Sequence, residues 1–204
     1  YLGFDWISPD RKNRIEELLQ ANSQNSLQEM TAIQNDVFSR RAARLKQVLS
    51  QIKMSDSAAE EARQILLQWS GEVKEGLAPA IYEVYWKKLE ELTFSDDFSF
   101  YYQDLIRYME SRQAGLERIL DQPDSTWFDR SETPAKETRD DIMEKAMLEA
   151  LKELTQTFGK NKNKWDWAKL HGLSYKHTLG QKWYLSFLNI GQYPMIGDGQ
   201  TVRA

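Results

Sequence analysis

The sequence lacks cysteine, long apolar runs and an excess of either charge. None of its 204 residues is cysteine, which excludes disulfides, thiolate nucleophiles and thiolate metal ligands. No apolar run approaches the roughly 20 residues that a membrane-spanning helix needs. The net charge is −4, with 27 basic residues distributed among 31 acidic ones. This balance argues against a nucleic-acid-binding surface.

The residues that are present indicate a globular chain. Hydrophobic residues make up 41% and aromatic residues 12%, including seven tryptophans, enough to bury a sizeable core. The sequence starts at Tyr1 rather than at methionine and shows no signal peptide. We therefore expect both ends to continue into a longer polypeptide.

Helix-start signals and a 3.6-residue apolar period predict a mainly α region over residues 1–160. Ser8-Pro9-Asp10 predicts the first helix, with Ser8 as its cap and Pro9 at its first position. A capping box over residues 26–29 predicts a second helix. Its apolar face is continuous and comprises Leu27, Met30, Ile33, Val37, Leu45, Val48, Leu49 and Ile52.

Three polar residues on this second helix need an explanation. Gln34 and Arg41 fall within the apolar face, so both are expected to find polar partners. Asp36 lies opposite, in a stripe of small residues that would admit a second element. Either Asp36 is solvated and pairs with Arg40, or it is buried.

Four further helix starts are predicted downstream. They are a capping box at Ser57-Ala58-Ala59-Glu60, Pro79, a cap at Ser95-Asp96-Asp97, and Thr138. The helix after residue 97 would bury Phe98, Tyr101, Tyr102, Leu105 and Met109, and the last helix would end at Gly159. The connection over residues 121–136 is expected to be pinned to the body by Trp127 and Phe128.

Residues 161–204 lose the helical period and are predicted to be irregular with short strands. His171 and His177 are six residues apart, which does not match the i, i+4 spacing of a helical metal pair. Hydrogen-bonded structural roles are therefore favoured for both histidines over a zinc site. The glycines near residue 197 form no nucleotide-binding fingerprint.

Seven segments occur in an order that resembles the penicillin amidase (penicillin acylase) family. They are Arg11-Lys12-Asn13-Arg14-Ile15, Ile33-Gln34-Asn35-Asp36-Val37-Phe38-Ser39, Trp127-Phe128-Asp129, Glu137-Thr138-Arg139-Asp140, Trp165-Asp166-Trp167 with His171, His177 with Leu179-Gly180, and Gly197-Asp198-Gly199-Gln200-Thr201-Val202. Together they resemble an internal segment of the β-subunit. Ala168 and Thr178 stand where the family usually has glycine and proline, which affects local packing rather than chemistry.

This resemblance implies the helical portion of an N-terminal nucleophile hydrolase of αββα architecture, whose remaining sheet is mostly absent from this chain. The nucleophilic serine would lie outside the chain, so the isolated polypeptide is expected to be inactive. Substrates would be acyl amides such as β-lactam side chains, as in antibiotic biosynthesis, or acyl-homoserine lactones. The full enzyme would be periplasmic or secreted and paired with an α-subunit from the same precursor. No cofactor is expected within residues 1–204, although a structural calcium elsewhere is compatible with the family.

Arg11 is the one candidate site residue. By resemblance it supports the asparagine that binds the oxyanion, where a fixed cation reinforces a donor aimed at developing charge. A cation near a helix N-terminus is electrostatically disfavoured, which favours a functional reason for its position. The alternative is a first-turn salt bridge or a solvated side chain.

A non-catalytic function remains open from the residues alone. The same helices would also suit a scaffold or protein-interaction domain, with its function on the exposed surface. The coding sequence upstream distinguishes the two, because an acylase segment must follow a spacer and a chain that begins with serine.

Overall fold

Helices dominate the part of the chain that the structure describes. The computed structural model describes residues 8–22, 24–98, 101 and 112–203. Its helices are α1 (Asp10–Gln20), α2 (Leu27–Gln34), α3 (Arg40–Gln51), α4 (Ser57–Gln68), α5 (Leu77–Phe98), α6 (Arg112–Ile119), α7 (Arg139–Phe158) and α8 (Trp167–Leu170). Two short strands follow, β1 (Gly172–Tyr175) and β2 (Ile190–Pro194). A mainly α chain with short strands near its C-terminal end is thus confirmed.

The core lies between two long helices. α5 and α7 make the most extensive contact between elements, and α4 packs against both of them. Tyr82, Tyr85 and Trp86 of α5 are buried. On the facing side, Ala146 and Ala150 of α7 are fully buried among methionines and leucines. Burial of this apolar surface is the main term that stabilises the helices.

The predicted continuous helix from Leu27 to Ile52 is wrong. The chain leaves the helix after Gln34 and starts a new one at Arg40, with Ser39 as the new N-cap. The Ser39 hydroxyl accepts from the N–H of Ala42 at 3.1 Å. As a result Leu27 is 86% exposed and Gln34 is exposed, so of the predicted apolar face on α2 only Ile33 is buried.

Residues 36–39 are extended because they pair with a second segment of backbone. The N–H of Val73 donates to the carbonyl of Val37 at 2.8 Å, and the N–H of Ser39 donates to Gly71 at 2.9 Å. Gly71 has a φ of +92°, and a Cβ there would lie 3.2 Å from the Phe38 ring. This pairing satisfies backbone groups that a continuous helix would have satisfied internally.

Three predicted helix starts need smaller corrections. α1 begins at Asp10 with Pro9 at the cap position, and the Ser8 hydroxyl instead donates to Glu117 at 3.4 Å. Asp56, rather than a Ser57 capping box, caps α4 by accepting from Ala58 and Ala59. α5 begins at Leu77, two residues before Pro79. Each start lies within one or two residues of the predicted signal.

The predicted cap at Ser95-Asp96-Asp97 is also wrong, because α5 continues through these residues to Phe98. Asp96 instead accepts from the backbone N–H of Ser131 at 2.8 Å and lies 3.7 Å from Arg130. Most of the helix predicted beyond residue 98 lies outside the described residues; Tyr101 is exposed. α6 runs through Gly115 without interruption, and its Leu116 is fully buried.

The predictions for α7 and the loop before it are confirmed. Thr138 caps α7 in a reciprocal capping box with Asp141, and Gly159 ends the helix at a φ of +82°. The loop is pinned by Phe128, which is fully buried within a 3₁₀ segment at Thr126–Phe128. Trp127 stacks on Phe98 of α5 at 6.1 Å between ring centroids.

The last segment forms an antiparallel hairpin in which Leu173 pairs with Tyr193. Between its strands lie 3₁₀ segments at Thr178–Gln181 and Trp183–Leu188. Eight large apolar side chains here are exposed, and we term them the hairpin cluster. They are Leu173, Tyr175, Leu179, Trp183, Tyr184, Phe187, Ile190 and Tyr193. No helix within the described ranges is long and apolar enough to cross a membrane.

Candidate functional site

Arg11 lies in the first turn of α1, and two backbone carbonyls from the far end of the chain hold it. Its Nε donates to the carbonyl of Thr201 at 2.8 Å, and its Nη2 donates to that of Gly199 at 3.0 Å. The third nitrogen, Nη1, makes no hydrogen bond to any residue that the structure describes. The side chain is half-buried. Arg11 therefore makes neither the first-turn salt bridge nor the purely solvated arrangement of the alternative interpretation.

Arg11 differs in charge compensation from its neighbours. The other arginines of α1 and α3 are all ion-paired: Arg14 with Asp36, Arg40 with Glu17, Arg41 with Asp198, and Arg44 with Asp10 and Glu117. Within residues 8–22, 24–98, 101 and 112–203, no carboxylate pairs with Arg11. Carbonyl oxygens orient a guanidinium without cancelling its charge. The positive charge at this position is therefore fixed and uncompensated by any described residue.

The two carbonyls belong to a turn over residues 197–201 that is closed by its own side chains. Oδ1 of Asp198 accepts from the backbone N–H groups of Gln200 at 2.7 Å and Thr201 at 2.8 Å. In return, the Thr201 hydroxyl accepts from the N–H of Asp198 at 2.9 Å. Short polar side chains favour such turns because they bond to the backbone two or three residues on.

The start of the turn approaches the body of the molecule closely. The N–H of Gly197 donates to the carbonyl of Val73 at 2.7 Å, and Nε1 of Trp167 donates to the carbonyl of Gly197 at 2.8 Å. Gly197 has a φ of +86°, and a Cβ on this residue would lie 2.0 Å from the carbonyl oxygen of Arg203. Only glycine fits both the conformation and the space.

Arg41 of α3 holds the turn through the side chain of Asp198. Its Nη2 lies 3.2 Å from Oδ2 of Asp198, and its Nε donates to the hydroxyl of Tyr82 at 2.6 Å. The guanidinium also lies over the Trp86 ring, 4.8 Å from the centroid. Both ends of the Arg41–Asp198 ion pair are buried. The expectation that Arg41 finds polar partners within the core is thus confirmed.

Glu83 is the third charged group beside Arg41. Its Oε2 lies 3.6 Å from Nη2 of Arg41. Burial, reinforced by the neighbouring Asp198 carboxylate, raises the pKa of Glu83 well above its usual value, although Arg41 opposes this shift. Asp198 is the closer of the two carboxylates to Arg41, with 3.2 Å to its Oδ2 against 3.6 Å to Oε2 of Glu83. The pKa of Arg41 is itself raised, because nearby acidic groups outweigh the effect of its burial.

Two further ion pairs join α1 to the segments around it. Arg14 donates from Nε and Nη2 to the carboxylate of Asp36 at 3.0 and 2.9 Å, a bidentate arrangement. Asp36 is half-buried and pairs with Arg14, so neither predicted environment for Asp36 is correct. The buried Asp10 accepts two bonds from Arg44 of α3, at 2.9 and 2.7 Å. These contacts fix the first turn of α1 and with it the backbone of Arg11.

Sequence reasoning singled out Arg11 and the 197–202 segment separately and did not connect them. It assigned no part in the site to Asp198, Thr201 or Tyr82. One signal was available, since a buried Arg41 requires a carboxylate and the chain offers few in apolar surroundings. The bonds to Arg11 left no such signal, because they end on backbone carbonyls, which every residue has.

Of the two histidines, His177 makes a side-chain hydrogen bond among the described contacts, whereas the buried Nδ1 of His171 has no partner there. His171 stacks on Trp167 at 4.9 Å between ring centroids. Nδ1 of His177 accepts from the N–H of Leu179 at 3.2 Å. No group of three potential metal ligands occurs among the residues described. Of the two departures from the family pattern, Ala168 is buried in α8 and Thr178 begins a 3₁₀ segment.

Comparison with known proteins gives a consistent set of relatives. The sequence profile of the family described as Penicillin amidase matches residues 1–204. The chain is 26% identical to an acyl-homoserine lactone acylase QuiP of Pseudomonas fluorescens, over 89% of this chain and 25% of the relative. It is 26% identical to the QuiP of Pseudomonas syringae pv. syringae, over 99% of this chain and 27% of the relative. The chain thus spans about a quarter of the length of these relatives.

A solved structure has a similar fold. It is a thermostable penicillin G acylase from Alcaligenes faecalis, with a TM-score of 0.56 and 15% sequence identity. The similarity covers 79% of this chain and 34% of that one. At this identity the match concerns the fold alone.

Proposed function

Because this chain belongs to the penicillin amidase family, we propose that it forms the helical segment of a longer β-subunit in an enzyme that hydrolyses linear amide bonds. The share of its relatives that it spans, about a quarter, supports a segment rather than a whole enzyme. The sheet of the αββα architecture would come from the remaining sequence, which residues 161–204 would join.

The proposed substrate is an N-acyl amide, with acyl-homoserine lactones as the first class to test. The names of the relatives support this choice. The acyl side chain of a β-lactam is the second class, since the solved structure of similar fold is a penicillin G acylase. In both substrates the same bond breaks: water adds to the carbonyl carbon, the C–N bond is cleaved, and a carboxylic acid and an amine are released.

The proposed nucleophile is an N-terminal serine outside residues 1–204, with its own α-amino group as general base. An unperturbed terminal amine has a pKa of about 7.7–8.0, which suits proton transfer near neutral pH. The attack places negative charge on the carbonyl oxygen. A backbone N–H and an asparagine side chain would bind this oxyanion.

Arg11 would support that asparagine, and its bonding pattern is the observation that carries the proposal. Two of its nitrogens are bonded to carbonyls, while Nη1 is free of hydrogen bonds to described residues. An oriented cation with one free donor is what an asparagine carbonyl needs to hold its amide N–H groups toward the substrate. Because no described carboxylate neutralises Arg11, its charge also strengthens those donors.

We further propose an assembly and a location for the full enzyme. It would pair with an α-subunit cut from the same precursor and act in the periplasm or after secretion. A structural calcium, if the enzyme holds one, would bind outside residues 1–204. Residues 1–160 would then form the helical body and residues 161–204 the return toward the sheet.

Replacement of Arg11 by leucine in the full-length enzyme tests this role. Loss of one element of an oxyanion site lowers kcat by about 10²–10³-fold, whereas loss of a surface contact changes stability by less than about 1 kcal/mol and leaves the rate unchanged. The matched control is Lys12→Leu, since Lys12 is the neighbouring cation, is mostly exposed and pairs only with Glu16 among the contacts described. Turnover of an acyl-homoserine lactone and the melting temperature are measured for both. A near-normal kcat in Arg11→Leu would refute the proposed role.

The isolated chain is expected to hydrolyse no acyl amide, because neither nucleophile nor oxyanion donors are assigned to it. The purified polypeptide of residues 1–204 is incubated with phenylacetyl and long-chain acyl amides, and release of the amine is followed. Full-length enzyme at the same molar concentration is the positive control. Turnover by the isolated chain that Arg11→Leu does not alter would contradict the assignment.

A further inference from the structure

We propose that Asp198, held by Arg41, is the positioning residue for Arg11. The proposal rests on the proposed role of Arg11 and extends it to a buried ion pair that fixes the turn carrying the acceptors of Arg11. Asp198 does not touch Arg11 in any described contact. It acts through the carbonyls of Gly199 and Thr201.

The first contact in this series, the ion pair between Arg41 and Asp198, is rigid. Arg41 and Asp198 are 4% and 3% exposed, and their charged ends are 3.2 Å apart. The Arg41 guanidinium is also held by the Tyr82 hydroxyl at 2.6 Å and by the Trp86 ring face. A buried arginine with several bonds has little freedom to follow a moving partner. Asp198 therefore takes its position from α3 and α5.

The second contact in the series joins Asp198 to the backbone of the turn. One carboxylate oxygen of Asp198 faces Arg41, and the other accepts from the N–H groups of Gln200 and Thr201. The Thr201 hydroxyl closes the turn by accepting from the N–H of Asp198. Because these bonds fix the peptide planes from 198 to 201, they also fix the directions of the carbonyls of Gly199 and Thr201.

The third link is the recognition of the guanidinium itself. Nε and Nη2 of an arginine donate along two nearly parallel directions, so two fixed acceptors determine the plane of the group. This arrangement holds Arg11 by carbonyls, while the carboxylate of the same turn, Asp198, is paired with Arg41. Arg11 is thereby oriented without being neutralised. A carboxylate in direct contact with Arg11 would orient it equally well but would cancel its charge.

Asp198→Asn in the full-length enzyme is the first test. Asparagine keeps the oxygen that accepts from the turn but presents an amide NH₂ to Arg41. We expect kcat to fall about 10- to 100-fold, as small displacements of a catalytic group do, with KM within about twofold of the unchanged enzyme. The matched control is Glu60→Gln, the same change of carboxylate to amide, which breaks the Arg63 ion pair of α4 and touches neither Arg11, Arg41 nor the 197–201 turn in any described contact. It is expected to lower the melting temperature without lowering kcat.

A double-mutant cycle distinguishes positioning from a general structural effect. If Asp198 acts only through Arg11, then Arg11→Leu combined with Asp198→Asn has the same kcat as Arg11→Leu alone. Multiplying losses would show that Asp198 acts independently, and the proposal would be wrong. An Asp198→Asn enzyme with normal kcat beside an impaired Arg11→Leu enzyme would refute positioning while leaving the role of Arg11 intact. Full activity in Arg11→Leu would refute both.

A gentler pair of variants covers the case in which Asp198→Asn does not fold. Thr201→Val is nearly isosteric and removes only the hydroxyl that closes the turn. It is expected to lower kcat, and Thr201→Ser, which keeps the hydroxyl, is expected to restore it. Equal kcat values for the valine and serine variants would overturn the proposal.

Discussion

At the scale of single residues, the stability of the helical body depends on carboxylates that accept hydrogen bonds in the folded state. Glu60 is the clearest case. It accepts from Nε and Nη2 of Arg63 at 2.7 and 2.8 Å, from Gln64 at 2.8 Å and from the N–H of Met54 at 3.1 Å. The Arg63 hydrogen bonds, followed by those from Gln64 and Met54, lower the pKa of Glu60 to about 2.

This depression gives a pH dependence of stability with a definite sign. The folded pKa lies below the unfolded value of 4.5, so the stabilisation is present above pH 4.5 and is lost as the pH falls toward 2. Glu60→Gln should therefore lower the free energy of unfolding at pH 5 and show a flatter pH dependence between 4.5 and 2. Urea unfolding at a series of pH values measures this. Glu61→Gln is the control, because Glu61 is largely exposed and pairs with Lys162; equal curves for the two variants would contradict the prediction.

Glu83 acts in the opposite direction and in a different pH range. Its pKa is raised in the folded state, so its contribution is fully present below the unfolded value and is lost as the pH rises through the folded one. Because the unchanged chain and Glu60→Gln both contain Glu83, the difference between their two curves reports Glu60 alone.

At the scale of elements, the break between α2 and α3 depends on the cap at Ser39. This side chain is fully buried, accepts from Ala42 and contacts the Tyr82 hydroxyl at 3.2 Å. Ser26 caps α2 in the same way but is exposed. Ser39→Ala should lower the free energy of unfolding by about 1–2 kcal/mol, and Ser26→Ala by about 0.5–1 kcal/mol. Chemical denaturation of both variants gives the comparison, and a larger loss for Ser26→Ala would contradict it.

Local signals predicted most helices but not this break. Thr138 and Gly159 cap α7 through bonds to residues three or four positions away, so both ends of this helix could be predicted from local sequence. The extended segment before Ser39 depends on pairing with residues 71–73, which lie more than thirty positions away. The apolar period on either side stays in phase across the break, so periodicity alone favours one helix. The missed continuation of α5 past Ser95 has the same origin, since Asp96 bonds to the distant Ser131.

In the candidate site too, local sequence predicted individual residues but not their distant partners. Family resemblance identified Arg11, and the apolar face around Arg41 indicated a buried cation. The identity of the partners depends on tertiary structure, because Asp198 is 157 residues from Arg41 and Thr201 is 190 from Arg11. No local pattern encodes such distances.

At the scale of the whole molecule, the hairpin cluster is the largest concentration of exposed apolar side chains among the residues described. Concentrations of exposed apolar side chains are typical of surfaces that contact another molecule or segment. If the rest of the enzyme covers it, the isolated chain should self-associate.

Sedimentation velocity of residues 1–204 over a range of concentrations tests this. Trp183→Ser combined with Phe187→Ser should shift the distribution toward monomer. Leu27→Ser is the matched control, because Leu27 and Trp183 are both 86% exposed but Leu27 lies on α2, outside the cluster. A clean monomer at high concentration, or an equal effect of Leu27→Ser, would contradict the prediction.

The bonds from Arg11 to Gly199 and Thr201 also constrain the order of folding. They close loops of 188 and 190 residues, and the entropy of such closure is recovered only after the intervening helices have shortened the loop. The helices can therefore form before the Arg11 guanidinium binds its two carbonyl acceptors. We therefore expect orientation of the cation to come late in folding, so that a partly folded chain has its core before it has an oriented Arg11.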